Sequence, residues 1–319
     1  MGKVLVISNR KGGCGKSMTA ASLGVGLARQ GKKTLIIDAD SQHSLTVSLG
    51  VTEPDTLPVS LATIISDVIN EKDIDPMAGI IQHSEGIFLM PSNNSLAGVE
   101  IALAPLIGRE TVLRQYIDTI KSVYDYVLID TAPTLDLLTV NALAAADSTI
   151  IPVCPKYLDA KGLELLLRSI AQIRKAINPN LAISGILLTM VDRRTNFSKE
   201  IISLVENAYG GRIRIFGEHM PQSKDSNGEY HDIAFPLNGE LRKEISKAVL
   251  DEYKAMEKDI DRKPSVYHRR KIVIQNLKSS LHYSVWNIAH PLKISRGDAV
   301  SSFGDAACNC SKRVAVAAK

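Results

Sequence analysis

Residues 4–17 read Val4-Leu5-Val6-Ile7-Ser8-Asn9-Arg10-Lys11-Gly12-Gly13-Cys14-Gly15-Lys16-Ser17, and the order of parts in this stretch decides the fold. The apolar run Val4 to Ile7 reads as a buried strand. A glycine-rich turn follows, and Met18 to Arg29 then reads as a helix. Strand, glycine turn and helix in this order make a phosphate cradle. The glycines let backbone N–H groups turn inward without Cβ clashes, and the helix N-terminus adds partial positive charge. Lys16 is placed to bridge the β- and γ-phosphates, and the Ser17 hydroxyl to ligate Mg²⁺. The plain P-loop pattern has glycine at position 10, where this chain has Arg10. It carries instead a second lysine, Lys11, ahead of Gly12 and Gly13. That is the deviant Walker A form, Lys-Gly-Gly-x-Gly-Lys-Ser/Thr.

Working outward, apolar β-rich runs recur at 4–7, 34–37, 87–90, 126–129, 149–153 and 184–188. Helix-like segments fall at 18–30, 60–70, 109–123, 136–146, 160–177 and 197–209. The early runs are nearly uniform in hydrophobicity, as parallel strands covered on both faces should be. The alternation predicts βαβ units and an α/β fold, a doubly wound, mostly parallel sheet with helices on both faces, and the glycine loop makes it one of P-loop NTPase type. The glycine loop, Asp38 and Asp130 all fall at strand ends, where such sheets bind nucleotides. Gly210-Gly211 and the polar stretch 222–232 read as loops. Residues 239–260 look helical, and 299–319 are rich in Ala and Ser and read as disordered.

Four further blocks carry a family resemblance. Leu35-Ile36-Ile37-Asp38-Ala39-Asp40-Ser41-Gln42 is a hydrophobic strand running into Asp-x-Asp-x-Gln. Tyr126-Val127-Leu128-Ile129-Asp130-Thr131-Ala132-Pro133 looks like Walker B with its switch segment. Leu138-Thr139-Val140-Asn141-Ala142-Leu143 is the third block, and Leu187 to Asn196 the fourth. With the two-lysine loop, they make the chain resemble the ParA/Soj/MinD group of P-loop ATPases, ParA/Soj most closely. The match runs from residue 1 to about Pro221 and fades from Gln222, with a weak echo of the family's last helix at 247–253. On this basis residues 1–260 form the ATPase domain and 261–319 a basic C-terminal tail.

The resemblance implies an Mg²⁺-dependent ATPase that dimerises on ATP, binds DNA non-specifically and drives partition of a plasmid, chromosome or mobile element. Lys11 then reaches across the dimer interface to the partner's phosphates, adding positive charge as an arginine finger does. Lys11, Gly12, Gly13, Cys14, Gly15, Lys16, Ser17 and Met18 form the cradle. Asp130, at the end of an apolar strand, is placed to hold the metal with Ser17. Asp40 is the candidate for positioning or activating the attacking water, and is counted with Ser17 and Asp130 among the candidate metal residues. Asp38, two residues earlier on the same face, either shares the site or caps a helix or loop. Met190, Pro221 and Ser223 are implied for the adenine pocket, Met190 being equally readable as core. Arg194 matches a DNA-contact position. Gln222 stands where the family often has arginine, so Lys224 or the tail is left to compensate. The partner implied is a centromere-binding ParB-like protein, and the location the cytoplasm, on the nucleoid.

Composition bounds these readings. The chain has 319 residues, 45% hydrophobic and 23% charged, both globular values. No apolar run reaches the ~18–20 residues of a membrane span. The N-terminus enters a strand directly, so no signal peptide is expected. Cys14, Cys154, Cys308 and Cys310 lie in no zinc or disulfide spacing, which suits a reduced cytoplasmic protein. The iron-protein type of cluster reductase, which needs cluster cysteines, is therefore set aside. The net charge of +4 hides an asymmetry: residues 261–319 hold 11 Lys/Arg against 3 Asp/Glu. That segment is either a polyanion contact or a solvated tail. The alternative function, a MinD-like membrane-cycling ATPase, calls for a bulky amphipathic C-terminal helix that 311–319 lacks.

Overall fold

The strand Lys3–Ile7 (β1) lies inside a sheet, paired in parallel with Tyr126–Thr131 (β5) on one side and Ser148–Val153 (β6) on the other. The computed structural model describes residues 2–73, 75–155, 157–191, 195–217 and 220. Among these, the sheet is completed by Thr34–Ala39 (β2), Ile81–Gln82 (β3), Phe88–Met90 (β4) and Ala182–Leu188 (β7). Its order is β3-β4-β2-β5-β1-β6-β7, and every pairing is parallel except β3 with β4. From β1 the chain winds outward first toward β2 and later toward β6. The loop leaving β1 therefore sits where winding reverses, the place at which such sheets open a crevice for ligand.

Helices cover both faces: Lys16–Ala28 (α1), Ser44–Ser48 (α2), Leu61–Ile69 (α3), Leu96–Leu103 (α4), Val112–Ile120 (α5), Leu137–Ala145 (α6), Tyr157–Ala176 (α7) and Asn196–Tyr209 (α8). Strand alternation sorts the core into two layers. Val4, Val6, Ile37 and Ile129 pack with α3, α5, α6 and α7. Leu5, Ile7, Ile36 and Leu128 pack with α1 and α2. Both layers are fully buried at the strands, which explains the unbroken apolar runs.

Each of the six expected strands and six expected helices falls on an observed element. The first helix begins at Lys16 because Gly15, at φ 81°, turns the chain directly onto it. Short α2, short β3 and α4 were not anticipated. The α4 sequence is apolar nearly all round and offers no stripe to read. The expected helix at 239–260 and the tail 261–319 lie outside the described residues. Among the described residues, no helix is long and apolar enough to cross a membrane.

Candidate nucleotide-binding site

The ends of β1, β5 and β2 meet under the glycine loop. Ile7 and Asp38 are both register partners of Asp130. By alternation Asp38 and Asp130 share the face of Ile36 and Leu128, the one covered by α1. The loop from Ser8 to Gly15 is held from below. The Ser8 and Thr149 hydroxyls share a hydrogen bond of 2.9 Å. Asn9 Nδ2 donates to the Pro152 carbonyl at 2.6 Å, and Lys11 N–H donates to Asn9 Oδ1 at 3.1 Å. Thr189 Oγ1 donates to the Cys14 carbonyl at 2.8 Å. Gly13 and Gly15, at φ 67° and 81°, occupy the left-handed region that strains any other side chain.

The cradle residues divide by exposure. Gly12 and Gly13 are exposed, while Lys11 and Ser17 are half-buried. Cys14 is buried, its thiol donating to the Lys11 carbonyl at 3.2 Å, so it offers the site backbone rather than side chain. Met18 is buried in the core beneath α1. Lys16 is also buried, and its Nζ donates to the Lys11 carbonyl at 3.2 Å. A buried ammonium with one neutral acceptor is suited to a strongly anionic partner. No side chain caps α1, whose leading N–H groups stay available to phosphate oxygens.

Asp130 is fully buried, and neither carboxylate oxygen accepts a hydrogen bond. Burial, and then the Asp38 charge beside it, push its pKa up to about 8, although the nearby Ser17 hydroxyl and Lys16 ammonium favour the charged form. An orphaned buried carboxylate next to a serine hydroxyl is an arrangement a divalent cation completes. Asp38 is different. Its Oδ2 accepts from Thr46 N–H at 2.8 Å and Thr46 Oγ1 at 2.6 Å, and its Oδ1 accepts from Asp40 N–H at 3.1 Å. Burial raises its pKa to about 6 against these bonds. Of the two readings left open for Asp38, the helix or loop cap describes these contacts, two of which come from Thr46 in α2. Asp40 is only half-buried and accepts from Gln42 N–H through Oδ1 at 2.9 Å.

Met190 lies two residues beyond β7, half-buried and at φ 53°, in neither core layer. Arg194, Pro221, Ser223 and Lys224 lie outside the described residues. The structure adds Asn9, Thr46, Ser92 and Thr189 to the site. Asn9 stood within the quoted loop, but Thr46 and Ser92 are joined to Asp38 and Asp40 only by folding.

A family profile described as an AAA domain matches residues 2–183. The sporulation initiation inhibitor protein Soj of Bacillus subtilis is 38% identical over 213 residues, covering 67% of this chain and 82% of Soj. The structure titled cobyrinic acid a,c-diamide synthase from Mycobacterium smegmatis, with bound ATP analog and magnesium, is 34% identical at a TM-score of 0.67, covering 84% of this chain and all of that one. A putative plasmid partition protein from Borrelia burgdorferi bound to AMPPNP is 26% identical at a TM-score of 0.62, covering 80% and 98% of the two chains. A second profile, SpoVG, matches residues 202–255. It spans the place where the first resemblance fades, and it includes the segment 247–253.

Proposed function

The chain belongs to the ParA/Soj family of P-loop ATPases, and on that premise we propose that it is a partition ATPase switched by ATP between a monomer and a DNA-binding dimer. Asp130 carries the nucleotide-binding part of this reading: a buried carboxylate at the end of β5, beside Lys16 and Ser17, with no hydrogen bond to either oxygen. Lys16 and the leading N–H groups of α1 bind the β- and γ-phosphates of ATP. Ser17 and Asp130 hold Mg²⁺, which supplies neutralisation of the charge shared by those phosphates. Asp40 orients the attacking water. Lys11, at the half-exposed rim, reaches the phosphates bound by a second copy, so association depends on the γ-phosphate and hydrolysis releases it. Met190, Pro221 and Ser223 belong to the adenine pocket, and Arg194 and Lys224 to the DNA face. A ParB-like centromere-binding protein stimulates hydrolysis, and the protein works in the cytoplasm on the nucleoid.

Separating the two lysines tests the proposal. Lys16→Ala should lose ATP binding. Lys11→Ala should bind ATP yet stay monomeric in sedimentation and hydrolyse poorly. A normal ATP dimer of Lys11→Ala removes the role in trans. ATP-dependent retention on anionic liposomes rather than duplex DNA replaces partition with a membrane-cycling function.

A further inference from the structure

Asp40 is built into a closed ring of hydrogen bonds that no local sequence motif announces. Its N–H donates to Asp38 Oδ1 at 3.1 Å. Its carbonyl accepts from Ser92 Oγ at 2.8 Å. Ser92 N–H in turn donates to Thr46 Oγ1 at 2.9 Å, and Thr46 Oγ1 donates to Asp38 Oδ2 at 2.6 Å. The ring joins the end of β2, helix α2 and the segment after β4. Asp38, Thr46 and Ser92 are each fully buried.

We propose that Thr46 and Ser92 are positioning residues that fix the Asp40 peptide, and through it the carboxylate that addresses the attacking water. Two features distinguish this ring from ordinary loop anchoring. It grips Asp40 at both its N–H and its carbonyl, which leaves its backbone little freedom to rotate. His43 N–H also donates to the Asp40 carbonyl at 2.9 Å, so loss of the Ser92 hydroxyl leaves that carbonyl with one hydrogen bond. Among the described residues only Oδ1 of the Asp40 carboxylate is engaged, by Gln42 N–H, so the held backbone aims an oxygen that is not itself tied down. Displacing a reacting group by a fraction of an ångström slows turnover far more than it weakens substrate binding. The inference rests on the reading of Asp40 proposed above.

The test uses the full chain and steady-state ATP hydrolysis with Mg²⁺. Ser92→Ala should lower kcat about tenfold with KM for ATP changed less than about twofold. Ser92→Thr, which keeps the hydroxyl, should restore the rate. Thr46→Val should repeat the loss and Thr46→Ser should not, which poses the same question at another corner if Ser92→Ala is poorly folded. In an Asp40→Asn background, Ser92→Ala should add nothing, because both changes act on one group. A parental kcat in Ser92→Ala or Thr46→Val overturns the inference. So does a Ser92→Ala effect that is undiminished in the Asp40→Asn background. A parental rate in Asp40→Asn alone overturns the reading of Asp40 itself, whereas slow Asp40→Asn with normal Ser92→Ala overturns only the positioning role.

Discussion

At the scale of single residues, the two buried carboxylates show how differently one chemical group can be used. Asp38 and Asp130 are register partners on neighbouring strands and equally buried. Asp38 receives three hydrogen bonds and holds a loop, whereas Asp130 receives none. A carboxylate kept in that condition costs the fold stability and stays available to a ligand. The folded pKa of Asp130, about 8, lies above its unfolded value of 3.8. Between these values the folded chain holds more protons than the unfolded one, so stability falls as pH rises from about 4 to 8 and levels off beyond. Asp38 adds to the fall in the lower part of that window. Thermal unfolding of the nucleotide-free protein at pH 5 and pH 8 should show this decline. Asp130→Asn removes the charge while keeping the shape. It should flatten the slope and stabilise the nucleotide-free protein at pH 8 by about 1–3 kcal/mol, while abolishing magnesium-dependent ATP binding. An unchanged slope would show that Asp130 is not the group that titrates.

At the scale of elements, the loop is aimed by the seating of α1 on the sheet. A Cβ placed on Gly24 would come within 2.5 Å of Ile36 Cδ1 and 3.0 Å of Ile36 Cγ1, on a strand residue with no exposure. Gly24→Val should therefore push α1 away from β2 and cost about 1–3 kcal/mol in urea unfolding. Gly98 in α4 is the control: exposed, helical, and with nothing within 4 Å of an added Cβ. Gly98→Ala should stabilise by up to about 1 kcal/mol. Equal effects at the two positions would mean that backbone entropy, not close packing, decides both. The long elements were legible because burial on two faces writes continuous apolar runs for strands, while one-faced burial writes stripes such as that of α5. Lys16, Ser17 and Asp130 were legible because motif and strand end coincide. The hydrogen-bonded ring was not: Ser92 is 52 residues from Asp40, and nothing local marks a serine that will donate across that gap. Nor could sequence decide Asp38, whose role is set by Thr46 rather than by its motif.

At the scale of the whole molecule, charge and family divide the chain in different places. The AAA-domain match ends at 183, the SpoVG match runs from 202 to 255, and the strongly basic segment begins at 261. Residues 1–260 hold 27 Lys/Arg against 31 Asp/Glu, so a DNA contact made by this part must come from local clusters rather than from overall attraction. The ATP-bound protein is expected to bind duplex DNA without sequence preference. Its affinity should fall steeply with salt, because phosphate contacts release counterions. Arg194→Ala should flatten the slope of log affinity against log salt by about one. Residues 261–319, with 11 cationic and 3 anionic side chains, are the candidate for a second source, one that would need no nucleotide. Fluorescence anisotropy with and without ATP, on the full chain and on a chain ending at 260, separates the two. The shorter chain should lose the nucleotide-independent part, with a slope lower by about 0.9 for each phosphate contact removed, and keep the ATP-dependent part. If it binds no DNA with ATP while the full chain binds equally with and without it, the tail alone is the DNA contact. The ATP switch proposed here would then have to act on something other than DNA.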